Sequence, residues 1–342
     1  MKRAPHMAQR GAALLIAMLT VALVATFAAA SLWQQWRSVE VETSERARVQ
    51  SGWILTGALD WARLLLREDQ MGPGAGGPDH LGEPWAVPLQ EARLSSFLAA
   101  DKNNTTTDLT PDVMDAFLSG QIVDMQSLMN VNNLVNPNGQ VSDKDVEAFG
   151  RLFELLGLPQ AELNKLVENL RFAIAAGQVS PSPTAAPLQP LRVSELVWLG
   201  LSPQTVATLE PYVTLLPAPP TQIRTHTTVN ANTAPAEVIA AAADIDLGDA
   251  QRLVQVRNAS YFKSVADIQT HLGGVAGSSP DLAYQLGVGS QYFEVRSRLR
   301  LDKLVVEEHA LVFRQGVNVT LLRRERGAAD PTALSRIAAA QR

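Results

Sequence analysis

Residues 12–32, AALLIAMLTVALVATFAAASL, carry no charged side chain, and this run limits what the rest of the chain can be. Lys2, Arg3 and Arg10 precede it, and the next charge is Arg37. Roughly 20 apolar residues in helical form cross the hydrocarbon core of a bilayer, and a basic leader holds the N-terminus on the cytoplasmic side. Three readings of this start are compatible with the residues. It is an uncleaved anchor, or a secretory signal peptide cut after Ala28-Ala29-Ala30, or a prepilin-type leader cut after Gly11 with Ala12 as the first mature residue. A signal peptide is the least comfortable of the three, because its core usually has about 7–15 apolar residues and the segment beyond continues as helix.

That continuation is amphipathic. Ile54, Ala58, Trp61, Ala62 and Leu65 recur at helical spacing, flanked by Leu55, Leu59 and Leu66, while Arg46, Gln50, Thr56, Asp60, Arg63 and Arg67 fall on the other side. One helix over 12–69 would be roughly 85 Å long at 1.5 Å per residue. Its first half needs lipid and its second half needs a globular partner.

The glycines and prolines of 72–84 end the helix and read as a linker. Gly72, Gly74 and Gly77 match the spacing of a dinucleotide-binding loop, but that motif follows a strand and opens a helix, and here a helix precedes. A strand is expected at Trp85–Leu89, a polar loop at 101–108, and a strand near Gln121–Met125. Residues 143–176 read as helix, with Ser142 and Asp145 as a capping box and Gly157 and Pro159 interrupting it. Pro-rich linkers at 178–190 and 217–220 bracket short helices near 194–200 and 203–210.

A second helical module starts with Thr233 as the expected N-cap and Pro235 and Glu237 in the first turn. It continues with a helix at 248–258 and a third from the capping box Ser264-x-x-Asp267 to Gly273. The order resembles a helix-hairpin-helix, but the connecting turn holds Asp244, Asp246 and Asp249, which would repel phosphate. The formal charge of −5, or −8 without the three leader cations, also argues against nucleic acid as a partner. Those three aspartates could offer oxygens to calcium, yet an EF-hand requires more ligands and a distal Glu; no resident cofactor is expected.

Near the C-terminus the period changes to two. Phe293, Val295, Leu299 and Leu301 alternate with Glu294, Arg296, Arg298 and Arg300, and strands are expected again at 304–313 and 317–322, with Gly316 in the turn. There is no cysteine. The five histidines form no HExxH pair, and there is no GxSxG or phosphate loop. An enzyme is not expected.

In order along the chain, Gln9–Gly11 followed by AALLIAM, LDWARLLLRED at 59–69, EPWAVPL at 83–89, GQIVDMQSLMNVNNL at 120–134, VNANTAPAEVIAA at 229–241 and SQYFEVRSRLRL at 290–301 resemble the type II secretion minor pseudopilin K (GspK) family. The Asn-x-Asn steps at Asn130/Asn132 and Asn230/Asn232 belong to that likeness. It implies an α+β pseudopilin fold, with a long N-terminal helix on a small antiparallel sheet and a large inserted α-helical domain of helix-hairpin-helix-like (SAM-like) subdomains. It also implies prepilin-peptidase cleavage after Gly11 and N-methylation of Ala12. Most pilin-like chains carry Glu at the fifth mature position; here that position is Ile16, and the K family characteristically lacks the Glu. Relatives often have an acidic stretch after the second inserted helix. Here Arg171–Gly177 stands in its place, so a calcium role is not carried over.

On this basis the expected organisation is a leader at 1–11 and a long helix at 12–70, membrane-spanning over 12–33. The first part of the α/β domain covers 85–135, and the helical insertion 136–285, in subdomains of about 136–215 and 226–285. C-terminal strands at 286–324 and a disordered tail at 325–342 complete the chain. The implied role is a tip-capping subunit that helps start pseudopilus assembly and aids protein export. Its implied partners are pseudopilins I, J and H, the major pseudopilin G, the prepilin peptidase, the inner-membrane assembly platform and exported proteins. Its implied place is the inner membrane, single-pass, with its bulk in the periplasm. A type IV pilus minor pilin and a periplasmic DNA-uptake protein are the alternatives.

Overall fold

Strict alternation along 293–301 produces the centre of an antiparallel sheet. In the computed structural model, which describes residues 10–71, 76–96, 116–177, 187–218, 226–273, 280–301 and 304–328, five strands pair in the order β1-β2-β7-β8-β9. They are β1 (Leu89–Arg93), β2 (Ala116–Asp124), β7 (Tyr292–Leu301), β8 (Leu304–Gln315) and β9 (Asn318–Ala328). β2 and β7 are neighbours with Ile122 opposite Val295, although everything from Met125 to Gln291 lies between them in sequence. The helical domain is therefore an insertion between adjacent strands. Gly120 permits this pairing, because a Cβ there would sit 2.9 Å from the Arg296 carbonyl oxygen. Gly316, at φ 55°, makes the β8–β9 turn.

Helix α1 spans Arg10–Asp69, as the apolar run and the stripe after it lead one to expect. The chain divides into two units at Ile54/Leu55. In the first, the side chains of the apolar run are exposed, including Leu14, Ile16, Leu23 and Phe27. The hydroxyls of Thr20 and Thr26 donate back to the carbonyls of Ala17 (2.9 Å) and Leu23 (2.8 Å), so these polar groups are satisfied within the helix. Such satisfaction is what a hydrocarbon environment demands. By length and composition this is a helix able to cross a membrane.

In the second unit, Leu55, Leu59, Ala62 and Leu66 of α1 are buried, and the last three pack with Trp85, Ile122, Phe293, Val295, Ala310, Val312 and Val319. The buried face lies one residue round from the expected stripe. Ala62 belongs to it, but Ala58, Trp61 and Leu65 line a cleft with Val87 and Ile122, and Trp61 is 39% exposed. The helix thus has two apolar flanks, and periodicity alone could not tell which one meets the sheet. Arg63 Nη2 donates to Val319 O at 2.7 Å, tying α1 to edge strand β9.

The insertion holds two similar halves. The first contains β3 (Met129–Asn130), α2 (Asp143–Leu155), α3 (Gln160–Gly177), α4 (Pro203–Leu209) and β4 (Val213–Thr214). The second contains β5 (Val229–Asn230), α5 (Ala236–Ala243), α6 (Leu247–Ala259), α7 (Val265–Leu272), α8 (Pro280–Gln285) and β6 (Leu286–Gly287). Each half is closed by a two-residue parallel pair, β3 with β4 and β5 with β6. One core unites them: Phe149, Leu152, Phe153, Leu163, Leu166 and Leu170 from the first half, and Val238–Ala243, Leu253, Phe262 and Ile268 from the second. The alanines of α5 are small enough to let this helix pass through the middle.

Several local expectations change. Trp85 lies in a 3-10 turn, Pro84–Ala86, and the strand starts only at Leu89, because Pro84 and Pro88 remove donors that a strand would need. The helix expected at 143–176 breaks at Gly157, φ 65°, into α2 and α3. Ser142 makes no cap bond; its hydroxyl lies 2.5 Å from Asp145 Oδ2 instead. Pro235, not Thr233, is the N-cap of α5, and Thr233 donates to Asp124 Oδ2 at 2.5 Å. The Ser264/Asp267 capping box forms in both directions. Strand β9 continues to Ala328, so 325–328 belong to the sheet and not to a tail. The polar loop expected at 101–108, and 329–342, lie outside the described residues.

Candidate functional site

A polar junction forms where the insertion leaves and re-enters the sheet. Asp124 ends β2 and is buried, with no cation on it among the described residues. Its Oδ1 accepts from Gln126 N at 2.8 Å, and its Oδ2 from Thr233 Oγ1 (2.5 Å), Ser290 Oγ (2.6 Å) and Asn230 Nδ2 (3.0 Å). Gln126 lies in the turn after β2; the three donors to Oδ2 come from the start of the second helical half and from the approach to β7. Burial pushes the carboxyl of Asp124 up, and the Ser290 and Thr233 hydroxyls hold it back.

Asp79 sits beside this hub. Its Oδ2 accepts from Ser290 N at 2.6 Å, its carbonyl from Asn230 Nδ2 at 3.1 Å, and its Oδ1 from Arg314 Nη2. Arg314, at the end of β8, also gives Nη1 to Asp69 Oδ2 at 2.7 Å and Nη2 to Ser290 O at 2.9 Å. Its guanidinium lies over the Phe293 ring. One arginine therefore joins α1, the segment after it and β7. Burial raises Asp79 even against the arginine. Glu83 is pushed up to about 7, first by burial, with Asp69 adding to the rise against bonds from His80 N and Trp85 Nε1.

Asp69, Asp79 and Glu83 are the carboxylates that approach within 4.8 Å of one another among the described residues, but the Arg314 guanidinium already takes two of them. Asp244, Asp246 and Asp249 engage other groups. Asp244 is the αL C-cap of α5 at φ 55°, with Oδ1 3.6 Å from Arg151 Nε. Asp246 caps α6 by accepting from Asp249 N at 2.8 Å, and Asp249 pairs with Arg252. Their placement is that of helix-end chemistry.

The Asn-x-Asn steps recur in register. Asn130 Oδ1 accepts from Asn132 N at 3.1 Å, and Asn230 Oδ1 from Asn232 N at 3.0 Å. Asn232 then grips both backbone groups of Phe262, at 3.0 and 2.8 Å. Among the described residues Asn132 reaches only the Leu216 carbonyl, at 2.9 Å, and its Oδ1 has no partner. Gly11 and Ala12 lie in the first turns of α1, and Ile16 is 62% exposed on it. Asp79, Asp124, Ser290 and Arg314 were not anticipated. The segment carrying Asp79 read as a linker, yet Asp79 is buried. The only sequence signal for the junction was the repeated Asn-x-Asn.

The comparisons match this architecture. Two family models, both described as type II secretion system protein K, match residues 127–218 and 229–289, the two halves of the insertion. A type II secretion system protein K from Pseudomonas aeruginosa is 28% identical over 312 residues, covering 86% of this chain and 85% of its own. A solved chain from the GspK-GspI-GspJ complex of enterotoxigenic Escherichia coli superposes with a TM-score of 0.62 at 18% identity, covering 84% of this chain and 99% of that one; this likeness bears on the fold. With both halves of its insertion matched and a curated relative spanning most of its length, these likenesses support this chain as a type II secretion system protein K, a minor pseudopilin of that machine.

Proposed function

We propose that this subunit caps the tip of the periplasmic pseudopilus, bound to pseudopilins I and J, and helps start its assembly. The carrying observation is the insertion between β2 and β7, which is larger than the sheet it hangs on. Repeated along a tightly wound filament, such bulk would clash with the next copy; at one end it has room. The similar chain of known structure was solved in a complex with GspI and GspJ, which supports I and J as neighbours. Pseudopilin H, the major pseudopilin G, the assembly platform and exported proteins remain part of the proposal on family likeness alone.

Ile16 fits an end position, since a subunit with no neighbour above it has no ammonium to neutralise. The apolar run supports a single-pass anchor, and the Lys2/Arg3/Arg10 leader supports a cytoplasmic N-terminus with the folded part in the periplasm. We read the role as structural rather than catalytic. Co-expression of the full chain with the I and J pseudopilins, followed by affinity purification in detergent, should yield a ternary complex. Recovery of the chain alone would reject the tip reading.

A further inference from the structure

We propose that residues 76–86 form a proton-held clamp: a proton on Glu83, beside Asp69, keeps the segment closed on the end of α1, and its loss releases the segment and its grip on the inserted domain. The charge count motivates this. Three carboxylates, Asp69, Asp79 and Glu83, come within 4.8 Å of one another, and one guanidinium, Arg314, serves Asp69 and Asp79. Among the described residues Glu83 has no cation of its own. Its Oε2 accepts from His80 N at 2.9 Å and Trp85 Nε1 at 2.7 Å, neutral donors that orient it without cancelling a third negative charge. Like charges this close do not all ionise together.

The segment touches three parts of the fold. Asp79 N donates to Val288 O at 2.8 Å. Trp85 is buried edge-on against Phe293, with centroids 5.1 Å apart. His80 stacks on Tyr261 of the insertion at 3.8 Å, 11° from parallel. The titratable and charged groups around Glu83 are Asp69 from α1, Asp79 and His80 from the segment, Arg314 from β8, and Asp124 from β2 acting through Asp79. Burial lowers His80, so it does not supply the missing cation near neutrality. Glu83 itself is pushed up to about 7, which places release in the range where such a protein works.

The test is hydrogen exchange on the full-length protein in detergent at pH 6 and pH 8, corrected for intrinsic base catalysis. The amides of Asp79, Glu83 and Ala86 should lose about tenfold protection at the higher pH, while those of β7 and β8 hold. Glu83→Gln should stay protected at both. Equal corrected protection at pH 6 and 8 in the native chain would overturn the proposal, as would the same loss in Glu83→Gln. If Glu83→Gln does not fold, Asp69→Asn gives the second reading. With one negative neighbour removed, Glu83 should ionise at lower pH and without repulsion, so release should move to lower pH or vanish, and an unmoved midpoint overturns the clamp.

Discussion

Arg314 Nη1 lies 2.7 Å from Asp69 Oδ2, with the two side chains 3% and 12% exposed. The last turn of the long helix is thereby held to the end of β8 by a pair nearly out of water. Removing one member of such a pair strands the other charge, at about 3–5 kcal/mol. Arg314→Met should therefore lower the urea midpoint sharply, and less so as the pH falls, because Asp79, raised by burial and no longer held down by the arginine, takes up a proton more readily. Arg314→Lys should rescue little, because an ammonium cannot present two nitrogens in a plane to Asp69 and Asp79. A loss that does not change with pH would separate the arginine's role from charge.

Glu294, on the outer face of β7, behaves in the opposite way to Glu83. Burial alone would raise it, but His309 and Arg296 outweigh that and hold it at about 2. A carboxyl depressed below its unfolded value of 4.5 adds stability above that value, and the contribution disappears as the pH falls from about 4.5 toward 2. The Arg296 and His309 side chains are 43% and 45% exposed, so after screening the effect is about 1–2 kcal/mol. Glu294→Gln should flatten this acid limb in melts taken between pH 5 and pH 2.5 and leave the curve above pH 6 parallel to the native one.

The two Asn-x-Asn steps allow an internal comparison. Asn232 satisfies both the N–H and the C=O of Phe262, whereas Asn132 meets one carbonyl and leaves its own oxygen unpaired. Asn232→Ala should cost about 1 kcal/mol more than Asn132→Ala, since it strands both backbone groups of Phe262, while the Leu216 carbonyl keeps Asn130 Nδ2 at 3.4 Å. Equal losses would mean that the two halves of the insertion are stitched alike.

What was legible follows from the physics of each element. The long helix, the three C-terminal strands and the Ser264 cap declare themselves through local period and spacing. The junction does not. Asp79, Asp124, Arg314 and Ser290 are single polar residues far apart in the chain, brought together only because β2 and β7 pair across the whole insertion. The stripe on α1 was misplaced by one position for a related reason: Trp61 and Leu65 are as apolar as Leu59 and Leu66, and only the sheet's position chooses between them. Thr233 read as a cap because its neighbours allow one. The uncharged need of buried Asp124 for a donor took its hydroxyl instead.

Leader processing is checked at Gly11. A branched side chain there should leave the leader attached, so Gly11→Val should run as the unprocessed form and retain Met1 or its successor by intact-mass measurement, while the native chain should begin at methylated Ala12. Continued processing of Gly11→Val would place the cleavage elsewhere.

Ile16 tests the end position from the other direction. A carboxylate at this depth of a membrane-spanning helix costs a few kcal/mol unless a cation meets it. A subunit with a neighbour above would gain one, the neighbour's N-terminal ammonium, whereas a terminal subunit would not. Ile16→Glu should therefore reduce the carbonate-resistant membrane fraction and leave the number of copies per pseudopilus unchanged. If Ile16→Glu inserts like the native chain and adds copies to the filament, the residue was what kept it from the interior, and the bulk of the insertion between β2 and β7 does not set its place.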